Sequence, residues 1–219
     1  KGFVNRVDFK IPVEIHCEGY AYQLRNKFYT NLSFGKTTVK EKDFLAAFKP
    51  MTLPFSVADT NIDTKADTLV IGKEVFLQFY PDSAFSNIMG KKTIYTIHPI
   101  GLIDKEKEKY LLFIIKENKK KKRLVVLVAN EKNQFLASKE LLNNFEGTEY
   151  HRSLSINKEP TFLISREKMG NANEMLFTRA GWVYNDAGFF IGHELIGRYP
   201  ALYGLGDSTH GAGQRHPGK

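Results

Sequence analysis

The chain has 219 residues, 42% of them hydrophobic and 13% aromatic, with a formal net charge of +8 at pH 7. That length suits one all-β domain or two small ones, and the apolar content supplies a core without disulfides or metals. The single cysteine, Cys17, excludes an internal bridge, and no apolar run approaches the roughly 18–20 residues that a membrane-spanning helix needs.

The first segment, Val4 to Ile11, reads as a strand with imperfect apolar spacing. It runs past Pro12 into Val13-Glu14-Ile15-His16-Cys17, where apolar and polar residues alternate. Pro12 has no N–H to give a ladder, which marks an edge or a bulge, and Cys17 reads as a small, half-buried strand residue. Residues 20–34 carry Tyr20, Tyr22, Phe28, Tyr29 and Phe34 and suit another hairpin. Thr38-x-x-Glu41 has the form of a capping box, Phe44, Leu45 and Phe48 follow at helical spacing, and Pro50 stops the pattern. A short helix is predicted near 39–48, with its apolar stripe on a sheet. Leu53-Pro54-Phe55-Ser56-Val57 is extended, and the polar stretch Ala58 to Asp67 reads as a mobile, solvated loop. Its Asp59, Asn61, Asp63 and Asp67 lack the Gly and Glu positions of an EF-hand, so no calcium site is expected.

From residue 91 onward the pattern is a meander. Strands are predicted at Thr93–Ile97, Tyr110–Ile115, Arg123–Ala129, Phe135–Leu141, Leu154–Ile156, Thr161–Ser165, Met175–Tyr184 and Gly188–Leu195. The links are hairpin-sized and rich in turn residues, such as Asp104-Lys105-Glu106-Lys107 and Asn185-Asp186-Ala187-Gly188. No crossover helices alternate with the strands, so a parallel doubly wound sheet is disfavoured. The expected fold is mainly β: an antiparallel meander forming a sandwich or a partly closed barrel. A single β-rich domain is expected over 1–191. Residues 192–219, with seven of the 17 glycines, follow as a tail or a partner-binding arm.

Few stretches carry recognisable chemistry. Gly206-Asp207-Ser208-x-x-Gly211 resembles the nucleophile block of the GDS(L)/SGNH hydrolases, which would make Ser208 a nucleophile. In that family the block opens the domain, whereas here only eleven residues follow Ser208, and His210 and His216 lie too close in sequence to serve easily as the distal base. His193-Glu194 begins like a zinc-protease helix, but position 197 is Gly where the second His would stand. His16, His98 and His151 are scattered, and there is no P-loop and no G-x-G-x-x-G. No catalytic residue, metal or cofactor is expected. Lys116, Lys119, Lys120, Lys121, Lys122 and Arg123 form a basic hairpin tip suited to a polyanion: nucleic acid, anionic lipid or acidic glycan. Lysines at sheet ends also suppress edge pairing, and Glu106, Glu108 and Glu117 dilute the local field. In the tail, Tyr199, Leu202 and Tyr203 are the residues expected to meet a partner chain.

The middle of the sequence combines Phe44-Leu45-x-x-Phe48, Met51-x-Leu53-Pro54-Phe55, Tyr95, His98-Pro99-Ile100 and the hairpin strands Tyr110-Leu111-Leu112-Phe113-Ile114-Ile115 and Leu124-Val125-Val126-Leu127-Val128. Over about residues 40–190 it resembles the small, uncharacterised exported lipoproteins of Gram-negative envelopes, with a helix, a Leu-Pro-Phe lead-in and a β-meander. The resemblance implies a periplasmic or outer-membrane location, a lipid-anchor cysteine upstream of Lys1, and no catalytic residues. The leading expectation is a non-enzymatic envelope module that binds a protein partner, as an accessory subunit of a larger assembly. A polyanion-binding domain acting through the lysine tip is the second, and a hydrolase using Ser208 the third.

Overall fold

The computed structural model describes residues 38–65, 69–90, 94–147, 149–170 and 174–200. The strand expected over Val4–Cys17, the aromatic segment 20–34, and Leu202, Tyr203, Ser208, His210 and His216 lie outside the described residues. In chain order the elements are α1 (Glu41–Leu45), β1 (Phe55–Ala58), a 3₁₀ segment (Asp59–Lys65), α2 (Lys73–Phe76), α3 (Ser83–Met89), β2 (Thr96–Asp104), β3 (Glu108–Lys116), β4 (Lys122–Asn130), β5 (Phe135–Asn143), β6 (His151–Ile156), β7 (Phe162–Met169), β8 (Glu174–Asn185) and β9 (Gly188–Pro200).

Two uninterrupted apolar runs explain the layering. Tyr110 to Ile115 in β3 and Leu124 to Ala129 in β4 are buried throughout, so both faces of this hairpin are covered. Strands covered on both faces read as continuous apolar runs and not as alternation. On one face Leu111, Phe113, Ile115, Val125, Leu127 and Ala129 pack against Phe44, Phe48, Phe76, Tyr80 and Phe85 from the helices. On the other, Leu112, Ile114, Leu124, Val126 and Val128 meet Leu154, Ile156, Phe162 and Ile164 of a second sheet. The molecule is therefore helices on a four-stranded sheet, β2-β3-β4-β5, which lies on a five-stranded sheet, β1-β6-β7-β8-β9. All named pairings are antiparallel and the sheets do not close into a barrel, so of the two expected forms the sandwich holds.

Several boundaries differ from expectation for identifiable reasons. The first helix is shorter than 39–48. Lys40 and not Thr38 caps it, through a backbone carbonyl that accepts from the N–H groups of Asp43 and Phe44. The next residues tighten into a turn that still buries Phe48. Within the stretch expected as a mobile loop, Asp59–Lys65 form a kinked 3₁₀ segment with Ile62 buried beneath it, and Asp67 lies outside the described residues. Asn61 accepts the Ala58 N–H at 3.0 Å, and Asp59 accepts the Arg152 N–H at 3.2 Å. Helices α2 and α3 have no counterpart among the expected elements, and both lie on the helical side of the core. Strand β2 starts later than expected and continues to Asp104 through a bulge between Pro99 and Gly101, at the edge of its sheet. Gly101 lies under the Lys49–Met51 segment, where an added Cβ would meet the Lys49 carbonyl oxygen at 3.1 Å.

The boundary at 191 also moves. Strand β9 pairs with β8 as far as Pro200, so residues 192–200 belong to the sheet. Glycine hides the strand pattern there: Gly197 faces Phe177, whose ring lies over the bare backbone. An aromatic ring over a cross-strand glycine replaces packing that the glycine cannot supply.

Candidate functional site

The basic tip of the β3–β4 hairpin divides in two. Lys116 and Lys122 sit opposite each other at the strand ends and both bind Asp63, Lys116 at 3.1 Å. The turn is held by Asn118, whose side-chain oxygen accepts the N–H groups of Lys120 and Lys121 at 2.8 Å each. Lys119, Lys120 and Lys121 are exposed, with the Lys121 ammonium 5.3 Å from the Phe145 ring centre.

Arg123 is not on this surface. Its side chain is 9% exposed, and its Nε donates to Glu117, itself 6% exposed, at 2.8 Å. Nη1 donates to Glu140, Nη2 lies 4.0 Å from Glu146, and the guanidinium stacks 4.6 Å from the Phe145 ring centre. Burial alone would lower its pKa, but the hydrogen bonds and charges of Glu117 and Glu140 raise it above the ordinary arginine value. Asn143 extends the network by donating to Glu140 and Glu146. Of the six cations expected to contact a polyanion, two are bound to Asp63 and one is buried among carboxylates.

A second cationic group lies between the sheets, where β5 faces the inner side of β7, β8 and β9. There a cleft of about 490 Å³ is lined by Lys139, Arg152, Arg166, Trp182, Ile191 and Glu194, among others. Strand periodicity places them: Arg152 shares its inward parity with Leu154 and Ile156, and Arg166 shares its own with Phe162 and Ile164. The Lys139 ammonium lies 3.2 Å from the centre of the Trp182 ring. Burial lowers the Lys139 pKa from its usual value; the charge of Glu140 opposes this and that of Arg166 adds to it. Arg152 reaches the Asn143 side-chain oxygen at 3.4 Å through Nη1, while its buried Nε has no hydrogen-bond partner among the described residues. Arg166 is exposed and makes no ion pair among the described residues. Of these residues the sequence singles out only Glu194, in the His193-Glu194 pair, and not for this cleft. The usable signal was a charge at an inward position of strands whose other inward residues are apolar.

Among the described residues, no element packs over the outer side of the same sheet. Met169 of β7, Met175, Phe177 and Arg179 of β8, and Leu195 and Tyr199 of β9 lie on it in register. Leu195 is 53% exposed and Met169 60%. Phe177 and Tyr199 lie 5.8 Å apart, Arg179 stacks on Phe177 at 5.1 Å, and Glu167 accepts from the Tyr199 hydroxyl at 3.3 Å. Tyr199, expected as a partner contact, is thus part of an aromatic cluster on this face.

Among the described residues, no three His, Cys, Asp or Glu side chains come together to hold a metal. No described helix is long and apolar enough to cross a membrane. Comparison with protein-family models, with curated proteins and with solved structures finds no match.

Proposed function

We propose that this chain is a non-enzymatic binding module of the cell envelope that docks a protein partner on the outer face of β7–β9. The observation that carries this is the outward-facing cluster of exposed Met169 and Leu195 with half-buried Met175, Phe177 and Tyr199, and Arg179 and Glu167 beside it. Monomeric soluble proteins rarely leave a large contiguous apolar patch in water, and aromatic residues with arginine are the usual anchors of protein interfaces. The envelope location is supported by the lipoprotein-like pattern of residues 40–190.

The test uses two surface variants of the full chain in envelope extracts. Leu195→Glu should abolish the stoichiometric complex seen by size-exclusion chromatography, while Lys119→Ser with Lys120→Ser should leave it intact. The complex should also survive an increase from about 50 to 200 mM salt, over which phosphate-dominated binding falls steeply. Retention by Leu195→Glu refutes docking on this face. Binding lost with salt and with the lysine pair would favour the polyanion function instead, for which the exposed Lys119, Lys120 and Lys121 are the available contacts.

A further inference from the structure

We infer that the cleft between β5 and the inner face of β7–β9 binds a small organic oxyanion, a phosphate or carboxylate group held by Lys139, Arg152 and Arg166. The site is independent of the protein-docking face, which lies on the opposite side of the same sheet.

Geometry, pairing and size support it. Three cationic side chains from three different strands, β5, β6 and β7, line one cleft. Like charges gathered at a partly desolvated site raise the free energy of their charged forms unless an anion joins them. Burial is the main cause of the lowered Lys139 pKa, and the charge of Arg166 adds a smaller push in the same direction against that of Glu140.

The carboxylates in the lining do not remove this imbalance. Glu140 is bound by Arg123 and Asn143, and Glu146 accepts from Asn143 beside Arg123. Glu194 is exposed and makes no ion pair among the described residues. The buried Nε of Arg152 is a donor without an acceptor among the described residues, and buried donors are paired as a rule. An oxyanion offers the acceptors that guanidinium donors fit, often two at a time.

The cleft volume of about 490 Å³ falls in the range of small-ligand sites, roughly 300–1,000 Å³. Ile164, Trp182 and Ile191 supply an apolar wall for the body of the ligand.

Trp182 is the only tryptophan in the chain and lies in the cleft, so its emission reports occupancy directly. The full chain is titrated with sodium phosphate and with sodium citrate, against sodium chloride at equal ionic strength, and binding heats are recorded in parallel. A saturable response to at least one oxyanion and none to chloride is expected, and the tighter of the two assigns phosphate or carboxylate. Arg166→Gln, at an exposed position, should weaken binding at least tenfold with an unchanged melting temperature. Glu194→Gln should tighten it by removing a like charge from the rim. The outer-face variant Leu195→Glu should bind the probes as the unaltered chain does, which separates failure here from failure of the docking face. Flat fluorescence and heats with both oxyanions overturn the inference, as does a response equal to that of chloride. Undiminished affinity in Arg166→Gln also overturns it.

Discussion

Replacing Arg123 with methionine should destabilise the domain far more than any change at the exposed lysines a few residues away. The substitution keeps much of the side-chain volume over Phe145 but leaves Glu117 and Glu140 without their shared cation. Breaking a buried ion pair from one side costs about 3–5 kcal/mol, because the remaining charge stays desolvated. Glu117 is 6% exposed and cannot rehydrate in place, whereas Glu140 is 22% exposed and partly can, so the lower end, about 3 kcal/mol, is expected. For a domain of this size that corresponds to a fall in melting temperature of roughly 6–12 °C. Differential scanning calorimetry at neutral pH measures it, with Lys119→Ser plus Lys120→Ser as the comparison; exposed changes of that kind stay within about ±0.5 kcal/mol each. Combining Arg123→Met with Glu117→Leu and Glu140→Leu should recover most of the loss, since no charge is then left buried. A shift for Arg123→Met no larger than that of the lysine pair would refute the buried network and return Arg123 to the surface.

Phe113 is fully buried, with the rings of Phe76 and Phe85 at 5.5 and 5.8 Å, so Phe113→Ala should cost about 3–5 kcal/mol in urea unfolding. A loss under about 1 kcal/mol would mean that the helices do not rest on this ring. Burial, aided by the charges of Asp82 and Glu74, raises the Tyr95 pKa to about 12. An unfolded tyrosine ionises near 10, so above that pH the unfolded state holds fewer protons, and the stability contributed by neutral Tyr95 is lost as pH rises from about 10 through 12. Absorbance of phenolate in the native protein should show the Tyr95 signal missing in Tyr95→Phe and appearing near pH 12; titration near 10 would refute the burial.

The sequence made the centre of the fold legible and its periphery less so, for physical reasons. Tyr110–Ile115 and Leu124–Ala129 announce themselves because strands covered on both sides need nothing but apolar residues. Helices α2 and α3 span 4 and 7 residues, too short for a helical period to repeat, and they depend on tertiary burial of Phe76 and Phe85. The end of β9 reads as tail because Gly192 and Gly197 break the alternation, and the compensating ring of Phe177 comes from another strand. Arg123 was misplaced because a run of cations looks uniform along the chain. The convergence of Glu117, Glu140 and Phe145 around its guanidinium separates Arg123 from its neighbours. The cleft residues were missed for the same reason, since Lys139, Arg152 and Arg166 converge only once β5 packs against the second sheet.

The β3–β4 hairpin has consequences for how the molecule opens. Its central amides, from Leu111 to Ile115 and from Leu124 to Val128, are paired within the sheet and shielded on both faces. Their hydrogens can exchange with solvent only when the whole domain comes apart. The β8–β9 ribbon carries the exposed Leu195 and Ile196 and has one outer side with no covering layer among the described residues, so its amides can exchange through partial opening. Ordering of that ribbon by anything that sits on it would appear as slowed exchange confined to β8 and β9, while the hairpin, already at the limit set by global unfolding, would slow only as far as overall stability rises.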